Sequence, residues 1–185
     1  MALSSKSEAI SSRNFFYLLK LFVMFQKKQI TEQQALSKLT GLCARAEHCS
    51  GEMLDKMRQW GVDEEAQARI MEYLTKNKFV DDERFARFFI NDKIKYNGWG
   101  RRKIEQALWM KHIDRTVYDP IFDEVDTEEY LAQLRPIIKQ KLKTTKANSD
   151  YERSMKVIKY AMSRGFEIDL IRKCIDNAEL LDETY

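Results

Sequence analysis

Glycine and proline are scarce in this 185-residue chain, which has six Gly and two Pro. Average usage would give about 13 Gly and about 9 Pro at this length. Both residues build the tight turns that an all-β sandwich or barrel needs many times over. Their scarcity therefore argues against β architecture and favours long helices joined by short connectors. It also excludes collagen-like and Gly-rich or Pro-rich low-complexity chains.

Cysteine and histidine are also few, with three Cys and two His. An odd number of cysteines without regular spacing predicts reduced thiols in a cytosolic protein. Cys43, His48 and Cys49 lie close together, but no second cluster completes a four-ligand set, so we predict no metal site. Cys43 is instead predicted to be a small core residue. The sequence also lacks nucleotide-binding motifs and a convincing catalytic triad, which predicts a protein with no cofactor and no enzymatic activity.

The chain has no long hydrophobic run. Its most apolar stretch is the 11 residues 15–25, interrupted by Lys20, whereas a transmembrane helix needs about 20 apolar residues. No small-residue cleavage site follows this stretch, which disfavours a secretory signal peptide. We therefore predict a cytoplasmic protein that does not bind membranes. Residues 1–30 are interpreted as an N-terminal extension that could hold a loosely attached helix.

Apolar residues recur at three- and four-residue spacing from residue 31 onward, which is the period of an amphipathic helix. The pattern predicts nine helices in three groups of three. The predicted N-terminal caps are Thr31, Ser50, Asp63, Asp81, Asp114, Asp126 and Ser149. The fourth helix is predicted to face Phe85, Phe88 and Phe89 inward. Pro136 is predicted to kink the seventh helix or to delay its start.

Five positions repeat along the chain. Met53, Met57, Gly61, Val62 and Ile70 align, at a shift of 51 residues, with Ile104, Leu108, His112, Ile113 and Ile121. At a shift of 104 they align with Val157, Ala161, Gly165, Phe166 and Cys174. Four columns are apolar, and the fifth has Gly in two copies where a helix must end. We predict an all-α fold of three tandem three-helix repeats, at residues 31–78, 79–125 and 126–181, that form an elongated curved array.

The net charge of +3 is the sum of separate basic and acidic blocks. Residues 135–164 contain nine Lys or Arg and two acids, whereas residues 119–129 contain six acids and no base. Such blocks can orient a charged partner, although a solvated helix face is the plainer interpretation. The candidate residues for binding a partner or DNA are Arg84, Arg87, Lys93, Lys95, Trp99, Arg101, Arg102, Lys103, Lys139, Lys143, Arg153, Lys156 and Lys159.

Aromatic residues lie among these bases and could stack on nucleobases or anchor a protein interface. They are Tyr96, Trp99, Trp109, Tyr151 and Tyr160. For Trp109 and Tyr151, packing in the core is an equally good interpretation. Arg84 and Arg87 are expected to be free for a partner. The bases at residues 101–103 begin a helix, where cations oppose the helix dipole, so local helix stability does not explain them.

Two segments resemble motifs of the RecX family of recombinase regulators. FVDDERFA at residues 79–86 is similar to G-[YF]-[ILV]-[ND]-D-x-[RK]-[FY]-A, although Asn77-Lys78 stands in place of the glycine. GWGRRKI at residues 98–104 and the following residues are similar to G-x-x-[RK]-[IL]-x-x-x-L-x-x-K-G-[IV], with His112 in place of the last glycine. The signature residues, interpreted as mainly structural, are Asp81, Asp82, Phe85, Ala86, Gly98, Gly100, Ile104 and Leu108.

The resemblance covers about residues 31–180 and implies a regulator that binds the RecA recombinase. Such a protein lies in the groove of the RecA filament on single-stranded DNA and modulates, most often inhibits, filament growth, ATPase, strand exchange and coprotease activity in DNA repair and the SOS response. We expect a monomer with weak direct binding to single- or double-stranded DNA. Two alternatives stay open: a helical nucleic-acid-binding module without a dedicated protein partner, and a peptide-binding helical-repeat scaffold.

Overall fold

The computed structural model describes the backbone of residues 30–182 and the side chains of residues 30–176. Within that range the chain forms nine α-helices and no strand. They are α1 (Glu32–Cys43), α2 (Ser50–Gln59), α3 (Glu64–Lys76), α4 (Asp82–Lys95), α5 (Arg101–Met110), α6 (Arg115–Asp123), α7 (Thr127–Thr144), α8 (Asp150–Ser163) and α9 (Ile168–Asp182). None of these helices is long and apolar enough to cross a membrane. The N-terminal extension, apart from its last residue, lies outside the described residues.

Most helices begin where a side chain caps them. Thr31 and Gln34 form a capping box at α1, in which each backbone N–H donates to the other residue's side-chain oxygen at 3.2 Å. The other predicted caps that the structure confirms are Asp63, Asp81, Asp114, Asp126 and Ser149. The prediction for Ser50 is wrong, because Cys49 holds the cap position of α2 and makes no side-chain bond there.

Phe88 does not face the core, because 60% of its surface is exposed. The buried residues of α4 are Phe85, Ala86, Ile90 and Ile94. At 3.6 residues per turn, Phe88 lies about 160° around the helix from Ile90. The prediction of three inward phenylalanines is therefore wrong for Phe88. Phe89 packs partly buried against the core.

The seventh helix does not start late, since α7 begins at Thr127 and continues through Pro136. Proline removes one N–H from the hydrogen-bond ladder of a helix. Leu134 and Ile138, on either side of it, are buried in the core. Burial of these neighbours stabilises the helix on both sides of the proline.

The apolar residues form two cores instead of one for each repeat. The first core is formed by α1–α3 together with Val80, which follows α3, and it consists of Ala35, Leu39, Met53, Met57, Val62, Ala66, Ile70, Leu74 and Val80. The second core is continuous through the second and third repeats. Its fully buried residues include Ile104, Leu108, Leu134, Ile138, Val157 and Ile171. The first repeat is therefore attached to the rest of the chain in a different way from the third.

The middle helices of the second and third repeats meet end to end. The backbone N–H of Gly100, at the start of α5, donates to the Arg164 carbonyl at 2.9 Å, and that of Arg102 donates to the Gly165 carbonyl at 3.2 Å. A Cβ atom at Gly100 would overlap the backbone of Gly165. Glycine, which has no Cβ, permits this close approach of the two helix ends.

The middle helix of the first repeat meets α5 in the same way. The Cys49 thiol lies 3.7 Å from the Lys111 carbonyl, and a Cβ atom at Gly51 would overlap that carbonyl. The Ser50 N–H donates to Asp82 Oδ1 at 2.7 Å. Groups of the following repeat therefore satisfy backbone donors at the start of α2 and of α5. This explains why neither helix has a side-chain cap of its own.

Candidate partner-binding surface

Arg84 and Arg87 are not free, contrary to the prediction from the sequence. Two nitrogens of Arg84 donate to Glu47 Oε2, at 3.0 and 3.1 Å, and its guanidinium also donates to the Lys78 carbonyl at 3.3 Å. Arg87 donates to Glu124. Each arginine thus joins α4 to a distant part of the fold. A partner would have to compete with these ion pairs for either side chain.

Arg101 also contacts residues of its own repeat. Its Nε donates to Glu105 Oε1 at 2.7 Å, its Nη1 lies 3.6 Å from Asp123 Oδ1, and its guanidinium lies 4.9 Å from the centre of the Phe122 ring. Burial disfavours the charged form, but the bond to Glu105 and the charge of Asp123 outweigh burial and raise the pKa of Arg101. Of the three bases that begin α5, Arg102 is the exposed one.

Trp99, in the loop before α5, has two lysines close to its ring. The Nζ atom of Lys103 lies 4.5 Å from the ring centre, and that of Lys93 lies 5.8 Å from it. Lys93 also forms an ion pair with Asp92 at 2.7 Å. The indole is partly buried against the second core. Cation–π attraction therefore holds positive charge at a defined place beside this loop.

Tyr160, on α8, also has two cations close to its ring. Lys141 Nζ lies 4.3 Å from the ring centre, and the guanidinium carbon of Arg164 lies 5.9 Å from it. Arg164 also donates through Nε to the Gly98 carbonyl at 3.0 Å. Since Gly98 directly precedes Trp99, Arg164 connects the two aromatic sites.

We call these six residues the junction cluster, which consists of Lys93, Trp99, Lys103, Lys141, Tyr160 and Arg164. The cluster lies where the second and third repeats meet. From the sequence, Lys141 and Arg164 are predicted only as members of the basic block at residues 135–164, not as individual binding residues. The repeat alignment could have identified Arg164, because it aligns with Lys111. Both basic side chains contact the preceding repeat. Arg164 bonds to the Gly98 carbonyl of the second repeat, and Lys111 forms an ion pair with Glu52 of the first.

Several of the remaining predicted bases are available for contact. Arg153 and Lys156 form local ion pairs with Asp150 at 3.2 Å and with Glu152 at 2.7 Å. Such pairs at exposed helix positions contribute about 0.5 kcal/mol or less. The predicted bases that are exposed and form no ion pair within residues 30–176 are Lys95, Arg102, Lys139, Lys143 and Lys159.

The acidic block at residues 119–129 is largely neutralised within the fold. Its carboxylates pair with arginines from four different helices. The pairs are Arg87–Glu124, Arg101–Asp123, Arg115–Asp119 and Arg135–Glu128. Each of these pairs also uses an arginine, so the acidic block and its four arginines together offer a partner little net charge.

Three aromatic residues named from the sequence lie on the surface. Tyr96 is 83% exposed, Trp109 is 70% exposed and Tyr151 is 76% exposed. The alternative interpretation of Trp109 and Tyr151 as core residues is therefore wrong. All three side chains are accessible to a partner.

The two cysteines and the histidine of the possible metal cluster do not converge. Cys43 Sγ lies 3.8 Å from Met53 Sδ, whereas His48 Nδ1 is bonded to Glu52 Oε2 at 2.7 Å. Among the residues that the structure describes, no group of three or more His, Cys, Asp or Glu side chains could hold a metal ion. Cys43 packs partly buried against the first core. Burial raises the pKa of Cys49 to about 11, which keeps its thiol protonated.

Three-helix units that meet end to end, with cations gathered on aromatic rings at one junction, define an all-α helical-repeat protein with a basic surface at that junction. Two family models match the chain, one described as the second three-helix domain of RecX over residues 81–119 and the other as its third three-helix domain over residues 128–175. The chain belongs to the RecX family.

Curated relatives carry the name "Regulatory protein RecX". The protein of Oceanobacillus iheyensis is 28% identical over 133 residues, which are 72% of this chain and 49% of that protein. The protein of Acinetobacter baylyi is 28% identical over 138 residues, which are 75% of this chain and 84% of that protein. The chain thus spans about half the length of the first relative and most of the second.

Solved structures agree with the fold. The crystal structure of RecX from Lactobacillus salivarius has a TM-score of 0.74 and 15% identity, and the match covers 80% of this chain and 97% of that one. A second crystal structure, of a "regulatory protein RecX", has a TM-score of 0.73 and 17% identity, with 78% and 73% of the two chains covered. The predicted all-α fold of three-helix repeats is confirmed.

Proposed function

We propose that this protein binds the RecA recombinase on its single-stranded DNA filament and inhibits filament growth. It does so without catalysing a reaction. The relatives are named regulatory proteins, and the family resemblance implies RecA as the target. The observation that carries the proposal is the pair of RecX repeats at residues 81–175, which share one core and present the junction cluster.

The exposed lysines supply long-range attraction to such a filament. Lys139, Lys143 and Lys159 form no ion pair within the described side chains, and the DNA of the filament carries a phosphate on every nucleotide. Cations of this kind raise the rate of encounter with a polyanion and make binding weaker at high salt. A bound regulator that prevents protomer addition at the growing end leaves disassembly unopposed, so the filament shortens.

The proposal is tested by the DNA-dependent ATPase of the cognate RecA. Titration with the full chain should lower the ATPase rate and shorten filaments seen by electron microscopy. Strand exchange and coprotease activity should fall in parallel, because they need the same filament. A matched control uses RecA on DNA in the presence of an unrelated helical protein of similar net charge. An unchanged rate and filament length at saturating protein would falsify the proposal.

A second candidate is a nucleic-acid-binding module without a protein partner. The observation that favours it is the position of Trp99 and Tyr160 next to lysine and arginine side chains. Aromatic rings can stack on the nucleobases of a single strand while neighbouring cations attract its phosphates. This candidate predicts tight binding to an oligonucleotide alone, with a steep salt dependence. It also predicts that adding RecA does not change the amount of protein bound per nucleotide, whereas the first proposal predicts an increase.

A further inference from the structure

One face of α5 exposes large apolar side chains to solvent. Arg102, Gln106, Trp109 and Met110 follow one another at helical spacing, and all four are exposed. Trp109 is 70% exposed and Met110 is 65% exposed. Neither side chain supports the second core, so the fold itself does not require their apolar character.

The end of α8 extends this face. Lys159 and Met162 are exposed on the last two turns of α8, and 45% of Met162 is accessible. The backbone N–H of Arg102 donates to the carbonyl of Gly165, just beyond α8. Arg102, on the first turn of α5, therefore lies close to the last turn of α8, whereas Trp109 and Met110 lie on the last turn of α5. We call the combined surface the Trp109 face, which consists of Arg102, Gln106, Trp109, Met110, Lys159 and Met162.

The repeat alignment provides an internal comparison. Trp109 aligns with Met162 in the third repeat but with Arg58 in the first. Met110 aligns with Gln59 of the first repeat. Arg58 forms an ion pair with Asp55 at 3.1 Å. The first repeat thus folds with an ion-paired arginine at the position where the second and third repeats expose Trp109 and Met162, and the third repeat has Ser163 at the position of Met110. The fold therefore does not require an apolar side chain at either position.

We propose that the Trp109 face docks an acidic amphipathic segment of a partner protein. Tryptophan is enriched among the residues that dominate binding energy at protein interfaces, and methionine is common on surfaces that accept apolar helices. Arg102 and Lys159 form no ion pair within residues 30–176, and Glu105, one turn before Trp109, is paired with Arg101 at 2.7 Å. Carboxylates on the partner would therefore meet unpaired cations at the end of the apolar contact that lies nearer the start of α5.

Nucleic acid is a poorer fit for the same surface. Thioether side chains such as Met110 and Met162 offer nothing to phosphates, and two cations over two helix ends are few for a polyanion. The inference rests on the proposed function for the identity of the partner. It adds the chemistry of the partner's contact surface. It implies that the RecA side of the contact carries apolar residues flanked by carboxylates.

The first experiment measures binding of the full chain to RecA filaments. The double substitution Trp109→Ala with Met110→Gln should weaken binding at least about tenfold, as expected for removal of an interface tryptophan. The matched control is Arg58→Ala with Gln59→Ala, at the aligned positions of the first repeat, which should bind within about twofold of the unmodified protein. Equal affinities of the two double variants would overturn the inference. Circular dichroism verifies that both variants keep their helix content.

The second experiment does not depend on RecA. Two synthetic helical peptides with the same leucine pattern, one with glutamates and one with lysines between the leucines, are titrated into the full chain. The acidic peptide should bind the unmodified protein and the Arg58→Ala/Gln59→Ala control, but not the Trp109→Ala/Met110→Gln variant. The basic peptide should bind none of the three. Binding of the acidic peptide to all three proteins, or to none, would overturn the inference.

Measuring direct DNA binding tests the remaining alternative, which is that the Trp109 face binds nucleic acid. If the Trp109→Ala/Met110→Gln variant loses affinity for a single-stranded oligonucleotide as strongly as for filaments, the face binds nucleic acid and the inference is wrong. Unchanged oligonucleotide affinity supports a protein segment. If the unmodified protein fails to bind RecA filaments at all, the proposed function fails, and the peptide titration still decides the nature of the Trp109 face.

Discussion

Lys78 and His112 are the non-glycine residues with positive φ in the described part of the chain, both at φ 60°. Each follows the end of a helix, where a left-handed residue closes the last turn. Gly61 and Gly165 hold the positions aligned with His112, at φ 74° and 89°. The family motif also has glycine at the positions of Lys78 and His112. The two departures from the motif are thus places where a side chain is held in an unfavourable conformation.

Lys78→Gly and His112→Gly should each raise the free energy of unfolding by about 0.5–1 kcal/mol. Removing the Cβ relieves the left-handed strain, which exceeds the added entropy of glycine in the unfolded chain. The ion pair of Lys78 with Asp81, at 3.5 Å, is exposed and its loss costs little. Urea denaturation at constant m-value measures the change.

A glycine introduced inside a helix provides the control. Ala68 is exposed within α3, and Ala68→Gly should lower the free energy of unfolding by about 1 kcal/mol. If Lys78→Gly and His112→Gly are destabilising to the same degree as Ala68→Gly, the left-handed conformation at these positions is not strained.

At the scale of elements, the end-to-end contacts of α2, α5 and α8 determine how the repeats are joined. Glycine at 51, 100 and 165 leaves no space for a side chain between one helix end and the next. Backbone donors at the start of α5 are satisfied by carbonyls at the end of α8. The junction cluster lies at this contact, so the geometry of the helix ends also positions the candidate binding residues.

Gly100→Ala should lower the free energy of unfolding by about 3 kcal/mol, because the new methyl group would overlap the backbone of Gly165 and Phe166. Gly41→Ala is the matched control of opposite sign. Gly41 lies within α1 with no atom near the added Cβ, so alanine there should stabilise the protein by about 0.5–1 kcal/mol. Denaturation curves of the two variants should move in opposite directions. A stable Gly100→Ala protein would contradict the end-to-end contact.

At the scale of the whole molecule, the first repeat differs from the other two. Most of its buried apolar residues form a separate core, whereas Cys49 belongs to the second core. Polar contacts, such as the bond from the Ser50 N–H to Asp82, also join it to the second repeat. Glu52 is central among them, since it accepts from Lys111 of the second repeat and from His48 of its own. Burial raises the pKa of Glu52, but these two donors outweigh burial and leave the pKa below its ordinary value.

A lowered carboxyl pKa stabilises the fold at a pH above the pKa of the unfolded chain, and that stability is lost as the pH falls through the folded value. The free energy of unfolding should therefore decrease between about pH 5 and pH 3, and Glu52→Gln should show a smaller decrease. Thermal unfolding at a series of pH values measures both. The control Glu72→Gln, at an exposed position of α3 with no ion pair in the described range, should follow the unmodified protein. Parallel curves for Glu52→Gln and Glu72→Gln would refute the role of Glu52.

Local features of this protein were determined by the sequence alone. The helices, the caps at Thr31, Asp63 and Asp81 and the family motifs depend on residues only a few positions apart, and the internal repeat is a recurrence of such local patterns. Side-chain caps and amphipathic periodicity act over one or two turns. Caps and helices can therefore be predicted without knowing how the helices pack. Ser50 was misassigned because the donors at the start of α2 are satisfied by Asp82, which lies 32 residues further along.

The tertiary structure alone decided which charged and aromatic side chains are available. Arg84 reaches Glu47 across 37 residues, and Arg164 reaches the Gly98 carbonyl across 66. No local pattern encodes such pairs, because they exist only once helices from different repeats are packed together. The same packing joins the apolar residues of the second and third repeats in one core and leaves Trp109 in solvent. Composition placed positive charge in the chain, whereas the fold selected which part of that charge a partner can contact.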